Sequence, residues 1–444
     1  MGVMLQTFYW DCPIEDGKPH RWWNYINREI PALAKAGFTS LWLPPVHKAA
    51  NIFGPSMGYD PYDYYDLGEY DQKGGTPTWF GTRRELDALI ASAHQHGLSV
   101  IADMVLNHNS GADAQEVNPI TGQSRWTLFN PKSGRFPRNW EAFHPSMYES
   151  WDEMTFGDMP DLSHRNPYVY GELLKLARWL IEEVGFDGFR YDFVKGFAAA
   201  TVTAIQEYRY IKNGVYHKPY GVAEYWDNTH NTLNWVNEAN QANHNPVDVF
   251  DFPLRELLKG LCDTYGFSLK HLVNGDSVLH NQTHSAVTFV ENHDLRDEGR
   301  PIVNDKLLAY SYILTHQGYP CIFWKDYFNY NLALRDTPNG IDALIAAHNL
   351  HAGGGASTLY LSDDLYIMQR TGHDAQKGLI YVLNNRGDDW QGAWVTTQWA
   401  HASFYPVAWW GKHDRSRPAD QSTAADGRGQ FFAPARGYTV YALK

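Results

Sequence analysis

The sequence predicts an α/β protein built as a (β/α)8 barrel, or TIM barrel, with a subdomain inserted after the third strand and an antiparallel β domain at the C-terminus. Three observations predict it. An amphipathic helix, a glycine and a buried apolar run recur in that order along the chain. Eight strand-like runs precede residue 325, which favours a closed barrel over an open sheet. Beyond the glycine run 353–355 the pattern changes to short alternating runs separated by turn residues.

The first strand falls in the apolar and aromatic run 5–10. Helix 26–36 ends at Gly37 and leads into the run 39–43. Residues 83–96 carry Leu86, Leu89, Ile90 and Ala93 on one helical face, and Gly97 stops the helix. The run 98–106 follows and suits a strand buried on both faces. The same order returns in helix 170–184, Gly185 and the run 186–193. Strands are expected at 220–223, 247–250 and 286–290; helix 305–315 then leads through Gly318 to 321–324, and helix 341–350 closes the barrel.

The stretch 109–166 breaks the rhythm, being rich in Asn, Pro, Gly, Ser and Trp without a long periodic helix. A segment of that length inside a compact domain is functional or a small subdomain. The expected division is therefore a barrel from 1–108 and 167–352, an inserted subdomain at 109–166, and a C-terminal β-sandwich at 353–444 with strands at 365–369, 379–383, 404–410 and 438–443.

At 444 residues the chain is long enough for a barrel with insertions and one small appendage. A net charge of −13 without a clustered basic face argues against a nucleic-acid partner. No apolar run reaches the roughly 18 residues of a membrane span, and the N-terminus lacks the basic-then-apolar layout of a secretory signal. The protein is expected to act as a monomer on a neutral polymer or small molecule. Its three cysteines, Cys12, Cys262 and Cys321, are odd in number and widely spaced, so they read as buried thiols. Aromatic residues make up 15% of the chain, with 17 Trp and 28 Tyr; flat rings suit the apolar faces of sugars as well as hydrophobic cores.

Four segments end expected strands with polar groups: 103–108 (DMVLNH), 188–195 (GFRYDFVK), 221–226 (GVAEYW) and 289–294 (FVENHD). Strand C-termini of a parallel barrel face one rim, so Asp192, Glu224 and Asp294 are expected there. Hydrolysis of an acetal uses one carboxyl group to protonate the leaving oxygen and a second to stabilise or capture the oxocarbenium-like centre. Arg190 stands two residues before Asp192 and shares its strand face, where a guanidinium would keep Asp192 ionised. Glu224, crowded by other carboxylates, is expected to keep its proton near neutral pH.

These four segments, in this order, resemble the DxxxNH, GFRxDxxK, GxxE and NHD pattern of the α-amylase family of glycoside hydrolases; the first is met by Asp103, Asn107 and His108. The resemblance covers nearly the whole chain. It is nearest to liquefying bacterial and archaeal amylases through 57–70 (MGYDPYDYYDLGEY), 152–164 (DEMTFGDMPDLSH) and 249–254 (VFDFPL). It implies that Asp192 is the nucleophile, Glu224 the general acid and then base, and Asp294 a stabiliser of the transition state. It further implies that His108 and His293 donate to hydroxyls of the sugar at the cleavage point, that Tyr59 stacks under its ring, and that Lys195 contacts the sugar on the leaving-group side. Trp226 follows the acid closely enough to wall the same cleft.

The resemblance also implies a Ca2+ ion held by side chains of Asn107, Asp152 and Asp161 and by the carbonyls of Met154 and Gly196, an oxygen set that suits this cation. The implied reaction is retaining endo-hydrolysis of α-1,4-glucosidic bonds in starch and maltooligosaccharides. An exo-acting, maltooligosaccharide-forming enzyme and an α-glucan transglycosylase share the same motifs, and a noncatalytic glycan-binding relative is a third reading. A polymeric substrate suggests secretion, with a signal removed before this numbering begins; an intracellular enzyme is the other expectation.

Overall fold

Eight parallel strands close into a barrel, each beside its neighbours in chain order: β1 (Met4–Gln6), β2 (Ser40–Pro45), β3 (Ser99–Met104), β4 (Gly188–Tyr191), β5 (Tyr220–Ala223), β6 (Asp248–Phe250), β7 (Ala286–Phe289) and β8 (Tyr319–Phe323). The computed structural model describes residues 2–10, 12, 20–54, 56–148, 154–212, 214–241 and 243–444. All eight strands overlap the runs expected to form them. Where the expected run outlasts the strand, the backbone beyond the strand bonds elsewhere. Beyond β3, for example, the Val105 carbonyl accepts the Tyr64 hydroxyl and the Asn107 carbonyl accepts the Leu162 N–H.

The chain divides into two compact units, one of Thr7–Ala34 with Ser40–Phe250 and the other of Met1–Gln6, Lys35–Thr39 and Asp251–Lys444. In the former, β2 to β6 pair in parallel, and the register sets Asp103 of β3 opposite Arg190 of β4. Helices α1 (Trp22–Ala36), α2 (Arg83–Gln95), α3 (Pro167–Trp179), α4 (Ala199–Gln206) and α5 (Thr229–Asn240) belong to it. Helix α2 starts on a capping box of Thr82 and Glu85 and buries the expected Leu86, Leu89, Ile90 and Ala93. Helix α3 starts on Asn166 and Pro167 and differs at its end, where a π-helical turn over Leu180–Val184 precedes Gly185 at φ 97°. The segment 109–166 contributes the small hairpin Ala114–Val117 with Ser124–Leu128.

In the other unit, Met4–Gln6 pairs with Cys321–Phe323, and β7 pairs with β8. Helices α6 (Phe252–Asp263), α7 (Lys306–Thr315) and α8 (Ile341–His351) accompany these strands. The C-terminal strands are β9 (Ala356–Leu361), β10 (Leu365–Arg370), β11 (Leu379–Asn384), β12 (Gln391–Thr396), β13 (Ser403–Gly411), β14 (Gln421–Ser422), β15 (Arg428–Ala433) and β16 (Gly437–Leu443). They form a six-stranded antiparallel sheet in the order β9-β10-β11-β16-β13-β14 and a two-stranded sheet of β12 and β15. Ile367, Ile380, Val382, Phe404, Phe431 and Tyr441 form one buried core with residues from both sheets. No described helix is long and apolar enough to cross a membrane. All three cysteines are buried.

Candidate active site

The register of β3 against β4 places a guanidinium among carboxylates. Arg190 is 1% exposed; its Nη1 meets Asp103 Oδ1 at 2.9 Å and Asp192 Oδ1 at 2.7 Å, and its Nη2 meets Glu224 Oε2 at 2.9 Å. The sequence places Arg190 beside Asp192; the structure adds Glu224 and Asp103 to the same cation. Burial opposes the charge of Arg190, but Asp103, Glu224, Tyr59 and Asp192 together hold it well above its ordinary value. Its guanidinium also faces the Trp42 and Tyr59 rings at 5.1 and 5.9 Å.

Asp103 is the member of this cluster that carbohydrate chemistry does not demand, so the search for catalytic carboxylates passes it over. It accepts hydrogen bonds from Trp42 Nε1 at 3.0 Å and from the Tyr59 hydroxyl at 2.8 Å. Burial pushes its carboxyl up to about 6, against the opposing pull of Arg190, Tyr59 and Trp42. Glu224 also accepts the Phe193 N–H at 3.0 Å. Phe193, directly after Asp192, sits at φ 43°, a left-handed conformation that a bulky side chain seldom adopts and that marks a constrained turn. Asp192 and Glu224 are 7% and 9% exposed, so both can be reached from solvent.

Tyr59 is 9% exposed and stacks on Trp10 at 6.2 Å. His108 is fully buried: its Nε2 pairs with the Tyr59 carbonyl at 2.9 Å and its ring lies flat against Phe156 at 4.7 Å. Burial lowers the His108 pKa. Phe156, itself 42% exposed, also meets Phe193 edge-on and is a site residue that the motif search did not single out. Lys195 pairs with Asp227 at 2.6 Å, and Trp226 is half-buried.

Segment 160–162 runs back along 107–109: Leu162 N–H donates to the Asn107 carbonyl, Asn109 N–H to the Pro160 carbonyl, and His108 bridges Asp161. The pairing brings Asp161 beside the end of β3. Asn107 Oδ1 is buried without a hydrogen-bonding partner among the described residues. A Cβ on Gly196 would stand 1.9 Å from it, which explains why this position is glycine. Met154 is exposed, and Asp152 lies outside the described residues. Among the described residues no group of three or more His, Cys, Asp or Glu side chains is placed to hold a metal ion. The expected calcium set includes a single such side chain, Asp161, among them.

Asp294 and His293 follow β7 in the other unit. His293 is 2% exposed, with Nδ1 on the Gln6 amide nitrogen at 2.9 Å and Nε2 3.3 Å from Asp294 Oδ2; Arg296 lies 3.5 Å from Asp294 Oδ1. Gln6 donates here, so His293 Nδ1 accepts and Nε2 carries the proton. The neighbouring Glu291 is buried with Arg255 at 3.4 Å and Lys306 at 3.8 Å.

Residues 22–326 match the family model described as alpha amylase, catalytic domain, and residues 379–442 match the alpha-amylase C-terminal model. A glucan 1,4-alpha-maltohexaosidase of Bacillus sp. (strain 707) is 30% identical, over 86% of this chain and 82% of its own length. An alpha-amylase of Bacillus licheniformis is 29% identical over 99% of this chain and 93% of its own. The crystal structure of an alpha-amylase from Geobacillus thermoleovorans shares the fold, with a TM-score of 0.67 at 18% identity, covering 100% of this chain and 98% of that one. With its barrel and its C-terminal β domain each matched over their own residues, the chain belongs to the α-amylase family of glycoside hydrolases.

Proposed function

We propose that this enzyme hydrolyses internal α-1,4-glucosidic bonds of starch and related α-glucans with retention of configuration. The observation that carries the reading is the sharing of one buried guanidinium by Asp192 and Glu224. Two carboxyl groups on the terminal nitrogens of a single arginine favour the close pair, about 5–5.5 Å apart, of a retaining enzyme over the wider pair of an inverting one. Asp192, held at 2.7 Å by Arg190, attacks the anomeric carbon as a carboxylate. Glu224 gives its proton to the departing oxygen, then takes one from the water that cleaves the glycosyl ester. Three carboxylates around one cation leave an excess of negative charge, which favours a proton on one of them. Asp294 stabilises the positive charge that develops on the sugar.

Tyr59 and Trp226 supply ring surface for the sugar, and Lys195 and His293 supply donors. For His108 to reach a hydroxyl, Phe156 must move from its ring. The three-part division at 109–166 and 353 assigns the barrel to chemistry and the insertion to one wall of the cleft.

Calcium fits the residues present. Asn107 Oδ1 is a buried acceptor without a donor among the described residues, Gly196 closes directly on it, and Asp161 is brought to the same strand end. Asn107, Asp161 and the carbonyls of Met154 and Gly196, with Asp152, would hold the ion through oxygen alone. When bound, it would supply the positive charge that ties the inserted segment to the barrel. A polymeric substrate favours action outside the cell.

The 30% identical maltohexaosidase favours a second reading, a maltooligosaccharide-forming enzyme with the same three acids. A time course of products from soluble starch, resolved by chain length and anomeric form, tests both. A spread of α-configured oligosaccharides is expected for the wild type, and Asp192→Asn is expected to lose at least about a thousandfold in turnover while keeping its fold. A single short product would move the function to the second reading; a β-configured product would overturn retention.

A further inference from the structure

We infer that the unit containing the C-terminal sheet holds a second ligand site, built for a phosphate group, at Arg370. Arg370 lies at the end of β10 and is 5% exposed. Among the described residues its guanidinium pairs with no carboxylate, only with carbonyls. Nε and Nη2 both donate to the Gly354 carbonyl, at 3.0 and 2.7 Å, and Nη1 donates to the Thr315 carbonyl at 3.0 Å. Three of its five N–H groups are thus used, on two neutral acceptors, and two remain without an acceptor among the described residues. The Thr315 carbonyl ends α7 and offers the charge only the partial compensation of a helix C-terminus. Burial lowers the pKa of Arg370 to about 10, in keeping with a cation that lacks a partner ion.

This guanidinium lines a cavity of about 460 Å3. His284, Gln317, His348 and His373 line it too, and among the described residues no Asp or Glu does, in a chain whose net charge is −13. Gly353 and Gly354 form part of the wall, with Ala352 beside them. Gly354 sits at φ 73°, and a Cβ there would stand 2.3 Å from the Gly372 carbonyl oxygen, so its carbonyl reaches Arg370 in a turn that only glycine fits. Buried charge without a counter-charge is costly, and an anion between the two unused N–H groups removes the cost. A guanidinium fork matches two oxygens of one oxyanion. His284 and Gln317 line the same cavity and can add donors beside the guanidinium, an arrangement that suits a tetrahedral phosphate, whereas His373 is already paired with Asp374 at 2.9 Å. The cavity is of the size that takes a small organic molecule, roughly 300–1,000 Å3, so it accommodates a phosphate monoester as well as the free ion.

The test is calorimetric titration of the full chain with inorganic phosphate and with glucose 6-phosphate, at constant ionic strength and with sodium chloride as the control. Saturable binding of one phosphate group per chain is expected, weakened about tenfold or more in Arg370→Gln. Ala352→Leu narrows the same cavity while leaving Arg370 in place and is expected to weaken binding likewise, so the inference does not depend on the folding of the arginine variant. Tighter binding of glucose 6-phosphate assigns the cavity to a monoester, and equal or tighter binding of inorganic phosphate assigns it to the free ion. No saturable binding beyond chloride, or binding unchanged in both variants, overturns the site.

Discussion

Arg190 organises the residues that a motif search finds and one that it passes over. Asp192 and Glu224 are legible because acetal hydrolysis demands carboxylates and both close a strand-like run. Asp103 is legible only as part of a pattern, since its work is to accept Trp42, Tyr59 and Arg190 across separations of 44 to 87 residues that no local pattern encodes. The Gln6 contact that sets the His293 tautomer spans 287 residues and is equally hidden. Asp103→Asn keeps the volume but removes one of the charges that hold Arg190, and exposes the guanidinium to a competing amide donor. We expect kcat to fall about tenfold or more, with KM changing less, because the loss falls on the placement of Asp192 and Glu224 rather than on sugar contacts. Steady-state kinetics on a soluble maltooligosaccharide measures this, and an unchanged kcat would separate Asp103 from the chemistry.

At the level of elements, the barrel strands are readable because they are buried on both faces and so appear as largely apolar runs, broken by groups such as Asp103 and Arg190 that the site uses. Four C-terminal strands are not. Ala356–Leu361 is largely exposed, Gln391–Thr396 is only partly buried, Gln421–Ser422 is two residues long, and Arg428–Ala433 carries Gly429 and Gln430, so none shows a clear apolar alternation. The loop after β7 is fixed by a buried group rather than by a pattern: Glu291 reaches Arg255 of α6, Lys306 of α7 and the Ile302 N–H. Burial raises Glu291 to about 7, with Lys306 and Arg255 opposing and Asp326 assisting. A carboxyl whose folded pKa lies above its unfolded value contributes its stability in full below about 4.5 and loses it as pH rises through about 7, because the folded state retains the proton that the unfolded chain releases. That contribution is on the order of 3 kcal/mol. Glu291→Gln should therefore flatten the decline in melting temperature between pH 5 and 8; a slope equal to wild type would place the titrating group elsewhere.

For the whole molecule, the proposed ion would be the device that joins the inserted segment to the barrel. Asn107, Gly196 and Asp161 come from three separate stretches of chain, and an ion among their oxygens would bind the folded state but not the unfolded one. Exhaustive chelation is expected to lower the melting temperature by several degrees and excess Ca2+ to restore it, with Mg2+ less effective because its smaller shell tolerates irregular oxygen sets poorly. A melting curve unmoved by chelation would argue against the site.

The pairing of Met4–Gln6 with Cys321–Phe323 carries a further consequence. On a ribosome the first strand emerges before the rest of the barrel, yet the segment that covers this side of it is made some 300 residues later. Until then its amide and carbonyl groups on that side stay open to any other extended segment. The first strand of the barrel is thus the one that waits longest for a neighbour on that side, and the fidelity of the finished barrel depends on keeping those three residues unclaimed.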